Sequence, residues 1–167
     1  MNDVLNTAAD STPFDADAFM NQTYDEAMDT QMSNMPDGEY TAMIGDFDSS
    51  ALKSITTRNG ARQVLEIPFI LTDDGSLSAK LGPREQYVHR ETYWLDFDAN
   101  GGLAFGPDKN IRLGQLRAAI GQNEKGVPWS PAMMRNMGPL KIAIKTTSDK
   151  KDPDKKYTNI SKYARIS

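Results

Sequence analysis

The last 28 residues constrain the fold of this chain more than any other stretch. Successive side chains of an extended strand point to opposite faces, so a period-two pattern marks a strand with one buried side. In residues 140–145, Leu140, Ile142 and Ile144 fall on one side and Lys141, Ala143 and Lys145 on the other. In residues 157–166, Ile160, Ala164 and Ile166 share a side, leaving Tyr157, Asn159, Ser161, Tyr163 and Arg165 opposite them. Between the runs lie Lys150, Lys151, Lys155 and Lys156, interleaved with Asp149, Asp152 and Asp154. Two alternating runs around such a loop predict a long antiparallel hairpin with an apolar face and a cationic, tyrosine-bearing one. Its loop is either a solvated tip or a flap that closes over something bound.

The chain upstream supplies partners for that hairpin. Met35-Pro36-Asp37-Gly38 is a turn, after which residues 39–47 alternate with Tyr40, Ala42 and Ile44 on one side. Residues 49–61 read as a polar connection carrying Lys53 and Arg58, with Arg62 at its end. Residues 62–72 form a second strand, in which Pro68 cannot donate a ladder hydrogen bond and so predicts an edge position or a bulge. A third strand, residues 85–97, places Tyr87, His89, Glu91, Tyr93, Leu95 and Phe97 on one face and Val88, Arg90, Thr92 and Trp94 on the other. Leu113, Leu116 and Ile120 then mark a helix over 111–122, and Ser130 with Pro131 opens a short second one.

Three strands, a helix and two strands is the element order of a mainly β domain, the five-stranded OB-fold, a Greek-key barrel with its helix between strands three and four. Other five-stranded barrels and α+β domains share the order. The barrel is expected over residues 36–167, preceded by an acidic, largely flexible arm, residues 1–35. Within the arm Met20, Tyr24, Met28 and Met32 recur every four residues, the spacing of an amphipathic helix starting near Ser11-Thr12-Pro13. Such a helix either docks on its own domain or contacts a partner.

Charge divides the chain sharply. Residues 1–52 hold eleven acids and no Lys or Arg, so residues 53–167 carry the other twelve acids against all nineteen bases, a net of +7. A basic body of this kind suits a polyanion, although the whole chain is at −4. Without cysteine and with one histidine, His89, the chain has no disulfide framework, thiolate metal site or multi-histidine site. Catalytic signatures are missing too, with no phosphate-cradling Gly-Lys-Ser/Thr loop and no nucleophile elbow. Asp96 and Asp98, with Asp73 and Asp74, are the one set of acids a nuclease metal would need. No metal, cofactor or enzymatic turnover is expected. There is no basic, apolar leader and no run of roughly 20 apolar residues, so a cytoplasmic chain without membrane contact is expected.

Residues 35–166 resemble the single-stranded DNA-binding proteins of bacteriophages that have the OB-fold. The likeness rests on Met35-Pro-Asp-Gly-Glu-Tyr-Thr-Ala-Met-Ile44, Leu113-Gly-Gln-Leu-Arg-Ala-Ala-Ile120, Leu140-Lys-Ile-Ala-Ile144 and Tyr157-Thr-Asn-Ile160. It implies a protein that coats single-stranded DNA during phage replication, recombination or repair. Many such proteins end in an acidic tail that recruits replication partners, whereas here the acids stand at the front, so recruitment of replication or recombination proteins would fall to residues 1–35. The arm could equally mimic phosphate in the chain's own groove. Binding a single strand without sequence readout requires cations for phosphates and exposed rings for bases. Lys53, Arg58, Arg62, Arg90, Trp94, Lys141, Lys145, Tyr157, Tyr163 and Arg165 are the residues expected to meet that demand. A different class of function, a protein-binding adaptor or structural phage component acting through the Met-striped arm, fits the same arm.

Overall fold

A computed structural model describes residues 13–28 and 34–166 of the chain. They fall into two compact units, Met1–Met32 and Ser33–Ser167.

Among its described residues the first unit contains one helix, α1 (Ala16–Asn21), whose N-cap Asp15 accepts the Ala18 N–H at 3.1 Å. No residue of α1 is buried. The helix is shorter than the four-residue spacing predicts. Tyr24 and Met28 lie in non-helical chain, while Met32, Ser11 and Thr12 fall outside the described residues. Asp25 and Glu26 would place negative charge at the carbonyl end of a longer helix, where the macrodipole opposes it, and so short a helix has little intrinsic stability.

The second unit is mainly β. Its strands are β1 (Gly38–Ile44), β2 (Leu52–Thr57), β3 (Gly60–Leu71), β4 (Tyr87–Trp94), β5 (Leu140–Ser148) and β6 (Lys156–Arg165). All pair antiparallel in one sheet of order β2-β3-β1-β5-β6, with β4 along the other side of β3. Two helices, α2 (Ser76–Leu81) and α3 (Ile111–Ala119), and 3-10 turns at Ser49–Ala51 and Pro131–Met134 complete it. Among the described residues no helix is long and apolar enough to cross a membrane.

Two expectations are corrected here. There are six strands, not five, because residues 49–61 are not merely a polar connection: β2 lies inside them, hairpinned onto β3 from Leu52↔Leu65 to Thr57↔Gly60. And Pro68 is not at an edge. β1 ends opposite Phe69 and β2 begins opposite Leu65, so the proline stands where the two strands part. Its carbonyl accepts the Gly45 N–H at 2.8 Å, and its absent N–H faces the same side, where no ladder partner is required. A Cβ at Gly45 would come within 3.3 Å of the Pro68 ring, so the close approach favours glycine.

The inner face of the sheet carries the core. Ile67 and Phe69 of β3, Tyr93 of β4, Ala42 and Ile44 of β1, Leu140 and Ile142 of β5 and Ile160 of β6 are all almost fully buried, together with Leu113 and Leu116 of α3. Burying each large side chain is worth roughly 1.5–3 kcal/mol.

No backbone ladder joins β4 to β6, so the sheet is not a closed barrel. The two strands meet through side chains instead. Glu91 of β4, 1% exposed, accepts the Ile160 N–H of β6 on its Oε2. Arg112 of α3 donates to the same carboxylate at 2.8 Å, to the Ile160 carbonyl at 2.9 Å and to the Thr92 carbonyl at 3.4 Å. The hydroxyls of Tyr93 and Tyr163 lie 2.6 Å apart across the same gap.

The hairpin of β5 and β6 also departs from simple alternation. Ile144 faces Ile160, but Ala143 faces Lys162, so one extra residue, Ser161, is absorbed as a bulge. Beyond it the parity reverses. Tyr163 pairs with Ile142 and turns inward; Ala164, expected in the core, pairs with Lys141 and turns outward. Arg165 follows Tyr163 to the inner side, where its guanidinium lies so close to Gly121 that a Cβ there would overlap it.

Candidate nucleic-acid interface

Alternation on β3 and β4 turns Arg62, Val64, Glu66, Pro68 and Ile70, with Val88, Arg90, Thr92 and Trp94, away from the core. Directly paired residues of an antiparallel ladder share a face. Hence Lys53↔Val64 and Val64↔Trp94 form one row across three strands, Ile55↔Arg62 the next row, and Pro68↔Arg90 a row nearer the far end. With strands about 4.8 Å apart and about 3.3 Å per residue, Lys53 and Trp94 stand about 10 Å apart across the face. Arg90 and Trp94 stand about 13 Å apart along it.

Four of the expected residues, Lys53, Arg62, Arg90 and Trp94, therefore converge on one face. Trp94 is 44% exposed over fully buried Val64, and the Arg62 guanidinium lies 5.2 Å from the centre of its ring. Such a contact is worth about 0.5–1 kcal/mol at an exposed site. Arg62 is also 3.8 Å from Asp96, and Lys53 is 3.1 Å from Glu66. Arg90 and Arg58 have no carboxylate within 4.0 Å among the described residues. Arg58 is exposed at the tip of the β2–β3 hairpin, where Gly60 adopts φ +107° and the Thr57 hydroxyl donates to the Gly60 carbonyl at 2.6 Å.

The face is not uniformly cationic. Lys53 and Arg90 border a cleft of about 530 Å³ whose other carboxylate-bearing residues are Asp46, Asp48 and Glu66. Cation and ring coincide at the Trp94 end, and acids gather toward Pro68.

The remaining expected residues lie elsewhere. Lys141 and Lys145 are exposed on the outer face of β5, on the far side of β1, and Lys141 lines a small cavity with Glu39 and Asp74. Tyr157 is tied to the hairpin tip, its hydroxyl donating to Asp149 at 3.3 Å and its ring 5.9 Å from the Lys155 amine. The bulge turns both Tyr163 and Arg165 off the outer face of the sheet: Tyr163 becomes half-buried, while Arg165 stays exposed beside Gly121. Burial, and to a lesser extent the neighbouring Glu91, pushes the Tyr163 phenol up to about 12, against the lowering effect of its contacts with Tyr93 and Arg112. Burial likewise raises Tyr93 well above the ordinary tyrosine value. Partial burial pulls Arg112 down, but Tyr163 and Glu91 beside it outweigh that and hold its guanidinium above the usual arginine value.

Asp96 and Asp98 follow the end of β4 that pairs with Val64, whereas Asp73 and Asp74 follow the opposite end of the β3–β4 ladder. Asp73 and Asp74 instead accept hydrogen bonds from the first turn of α2, including Leu77 N–H and Ser76 N–H. Among the described residues, no group of three or more His, Asp or Glu is placed to hold a metal ion.

Two features escape the sequence reading. Ile55 joins the face from within β2, and the run Ile-Thr-Thr-Arg-Asn-Gly60 holds the β-branched residues and Asn-Gly turn that signal a hairpin. Glu91 stands on an apolar strand face, where a buried carboxylate requires a cation; Arg112 supplies it. No family model, curated protein or solved structure matches the chain.

Proposed function

We propose that the Ser33–Ser167 unit is an OB-type barrel that binds single-stranded DNA without reading its sequence, on the outer face of β2, β3 and β4. In this reading β1 and β2 are two halves of one bent first strand, parted at Gly45 and Pro68, and the β4–β6 seam takes the place of the closing ladder. The observation that carries it is the convergence of Lys53, Arg62, Arg90 and exposed Trp94 on a single face, with Arg58 at its rim. Cations for the phosphates and a ring for a base are what sequence-tolerant single-strand binding requires, each stacked base adding roughly 1–3 kcal/mol. The role is that of a coat protein for strands exposed in phage replication, recombination or repair, with no turnover, acting in the host cytoplasm.

Anisotropy of a labelled dT oligomer tests it. The logarithm of the affinity should fall linearly with the logarithm of salt, by about 0.7 per phosphate neutralised, with little change between dT and mixed sequences. Salt-independent binding, or none at micromolar protein, overturns the reading.

A second reading is favoured by one observation on the front unit. Phe14, Phe19, Met20, Tyr24 and Met28 are each at least half exposed, an apolar display that suits a protein partner. Loss of a captured replication or recombination protein in a Phe14→Ser, Phe19→Ser variant, with DNA affinity unchanged, supports it; capture unaltered by those changes removes it.

A further inference from the structure

Beyond the end of β4 the chain builds a second aromatic and cationic site. Residues 96–110 are pinned by Asn110, whose side-chain oxygen accepts the Asp96 N–H at 2.9 Å while its amide donates to the Asp96 and Ala104 carbonyls at 2.9 and 3.0 Å. Asp96 Oδ2 in turn accepts the Asn110 N–H at 2.9 Å. This loop and α3 enclose a cavity of about 420 Å³, bordered by Phe105, Lys109, Asn110, Gln115, Arg117 and Trp129.

The walls are preorganised. The Arg117 guanidinium stacks 3.9 Å from the centre of the Trp129 ring, and its Nε donates to the Gln122 carbonyl at 3.0 Å. The indole N–H donates to the Gln122 side chain at 2.9 Å, and the Gln122 amide reaches the Met133 carbonyl at 2.8 Å. Phe105 is 76% exposed at the rim with nothing polar to explain its position.

Charge separates this cavity from its neighbours. Asp46, Asp48 and Glu66 line the cleft beside Lys53; Glu39 and Asp74 line the one beside Lys141; Asp48 lines the apolar one beside Phe97. The Trp129 cavity has Lys109 and Arg117 and no carboxylate among the described residues that line it. A ligand that is anionic, carries an aromatic ring and offers edges to amides fits such a lining. The cavity also adjoins the β-sheet face, because the Asp96 that Asn110 holds is the carboxylate 3.8 Å from Arg62.

We propose that this cavity takes an unpaired nucleobase and its phosphate from the same strand that crosses β2, β3 and β4, so that the path turns around the end of β4 onto α3. The inference rests on the single-stranded DNA reading above. The base lies against Trp129 and Phe105, Lys109 meets the phosphate, and the Gln115 amide meets base edges without selecting among bases, while Asn110 is spent on holding the loop.

A dT oligomer of about 16 nucleotides, the upper range for one such fold, is titrated into full-length protein. The double variant Phe105→Ala, Lys109→Ala changes only exposed side chains and should keep its Tm. It is expected to bind about tenfold more weakly than wild type and to show a salt slope smaller by about 0.7. In Trp94→Phe protein Trp129 is the sole tryptophan, and its emission should be quenched on adding the oligomer. Wild-type affinity in the double variant, or Trp129 emission unmoved at saturation, overturns the inference. If Arg62→Ala, Trp94→Ala weakens binding in that same experiment, the single-stranded DNA reading survives alone. If wild-type protein does not bind the oligomer, both fall.

Discussion

The outer face of β2–β3–β4 and the outer face of the β5–β6 hairpin begin with similar residues, aromatic rings and cations at alternate positions, and end with different surfaces. On β3 and β4 the ladder runs unbroken from Val64↔Trp94 to Leu71↔Tyr87, and every residue keeps the face that alternation assigns. On β6 a single bulge at Ser161 reverses the assignment, so a tyrosine and an arginine that would extend a binding surface are turned inward. What decides whether a basic, aromatic strand can meet a polyanion is the continuity of its register, not its composition.

The largest expected effect concerns the seam that couples the two regions. Arg112→Ala leaves Glu91 buried without its cation, and should cost about 3–4 kcal/mol in chemical denaturation, near the lower end for a broken buried pair because Arg112 is itself part-exposed. A loss under about 1 kcal/mol would mean that the seam does not unite the two regions.

The reversed parity of β6 is open to an alkaline titration. Because the Tyr163 phenol is raised in the folded state, the unfolded chain releases its proton first, so the stability it contributes is present below pH ~10 and is lost as pH rises toward about 12. The loss from Tyr163 should approach about 3 kcal/mol over that window; because Tyr93 is raised as well and loses stability in the same direction, Tyr163→Phe should reduce the alkaline loss without abolishing it. An outward Tyr163 would ionise near the ordinary tyrosine value, and Tyr163→Phe would then leave the alkaline loss unchanged.

Binding contrasts the two surfaces directly. Arg62→Ala with Trp94→Ala should weaken dT oligomer binding by about 2 kcal/mol, roughly 30-fold. Lys141→Ala with Lys145→Ala, on the hairpin, should weaken it less than about threefold. Equal losses would erase the distinction. Smallest of all, Glu66→Gln frees Lys53 from its ion pair and should tighten binding about twofold, read as a shift in the anisotropy midpoint at low salt. Weaker binding would show Glu66 to be positioning Lys53 for the strand.

The strongly periodic parts were legible in the residues. The two faces of β4 and the apolar side of β5 follow from alternation alone, because each has one side in the core. β2 was legible only in its β-branched residues and the Asn59-Gly60 turn, since five of its six residues are exposed and a strand with no buried face leaves no period-two signal. The bulge at Ser161 was hidden for a related reason: Tyr163, Ala164 and Arg165 are compatible with either face, and only pairing with Ile142 and Lys141 selects one. At the candidate site, Lys53, Arg62, Arg90 and Trp94 were recognisable one by one. Their assembly depends on the offsets between three strands, which no local pattern encodes.

A strand hydrogen-bonded on both sides cannot take in an extra residue without throwing one of its two ladders out of step. β6 is laddered only to β5, and its other edge meets β4 through Glu91, Arg112 and the paired tyrosines. Side chains bridge a range of distances that backbone pairs do not. The seam therefore gives the fold a place to accommodate an extra residue, and Ser161 is the one it takes in.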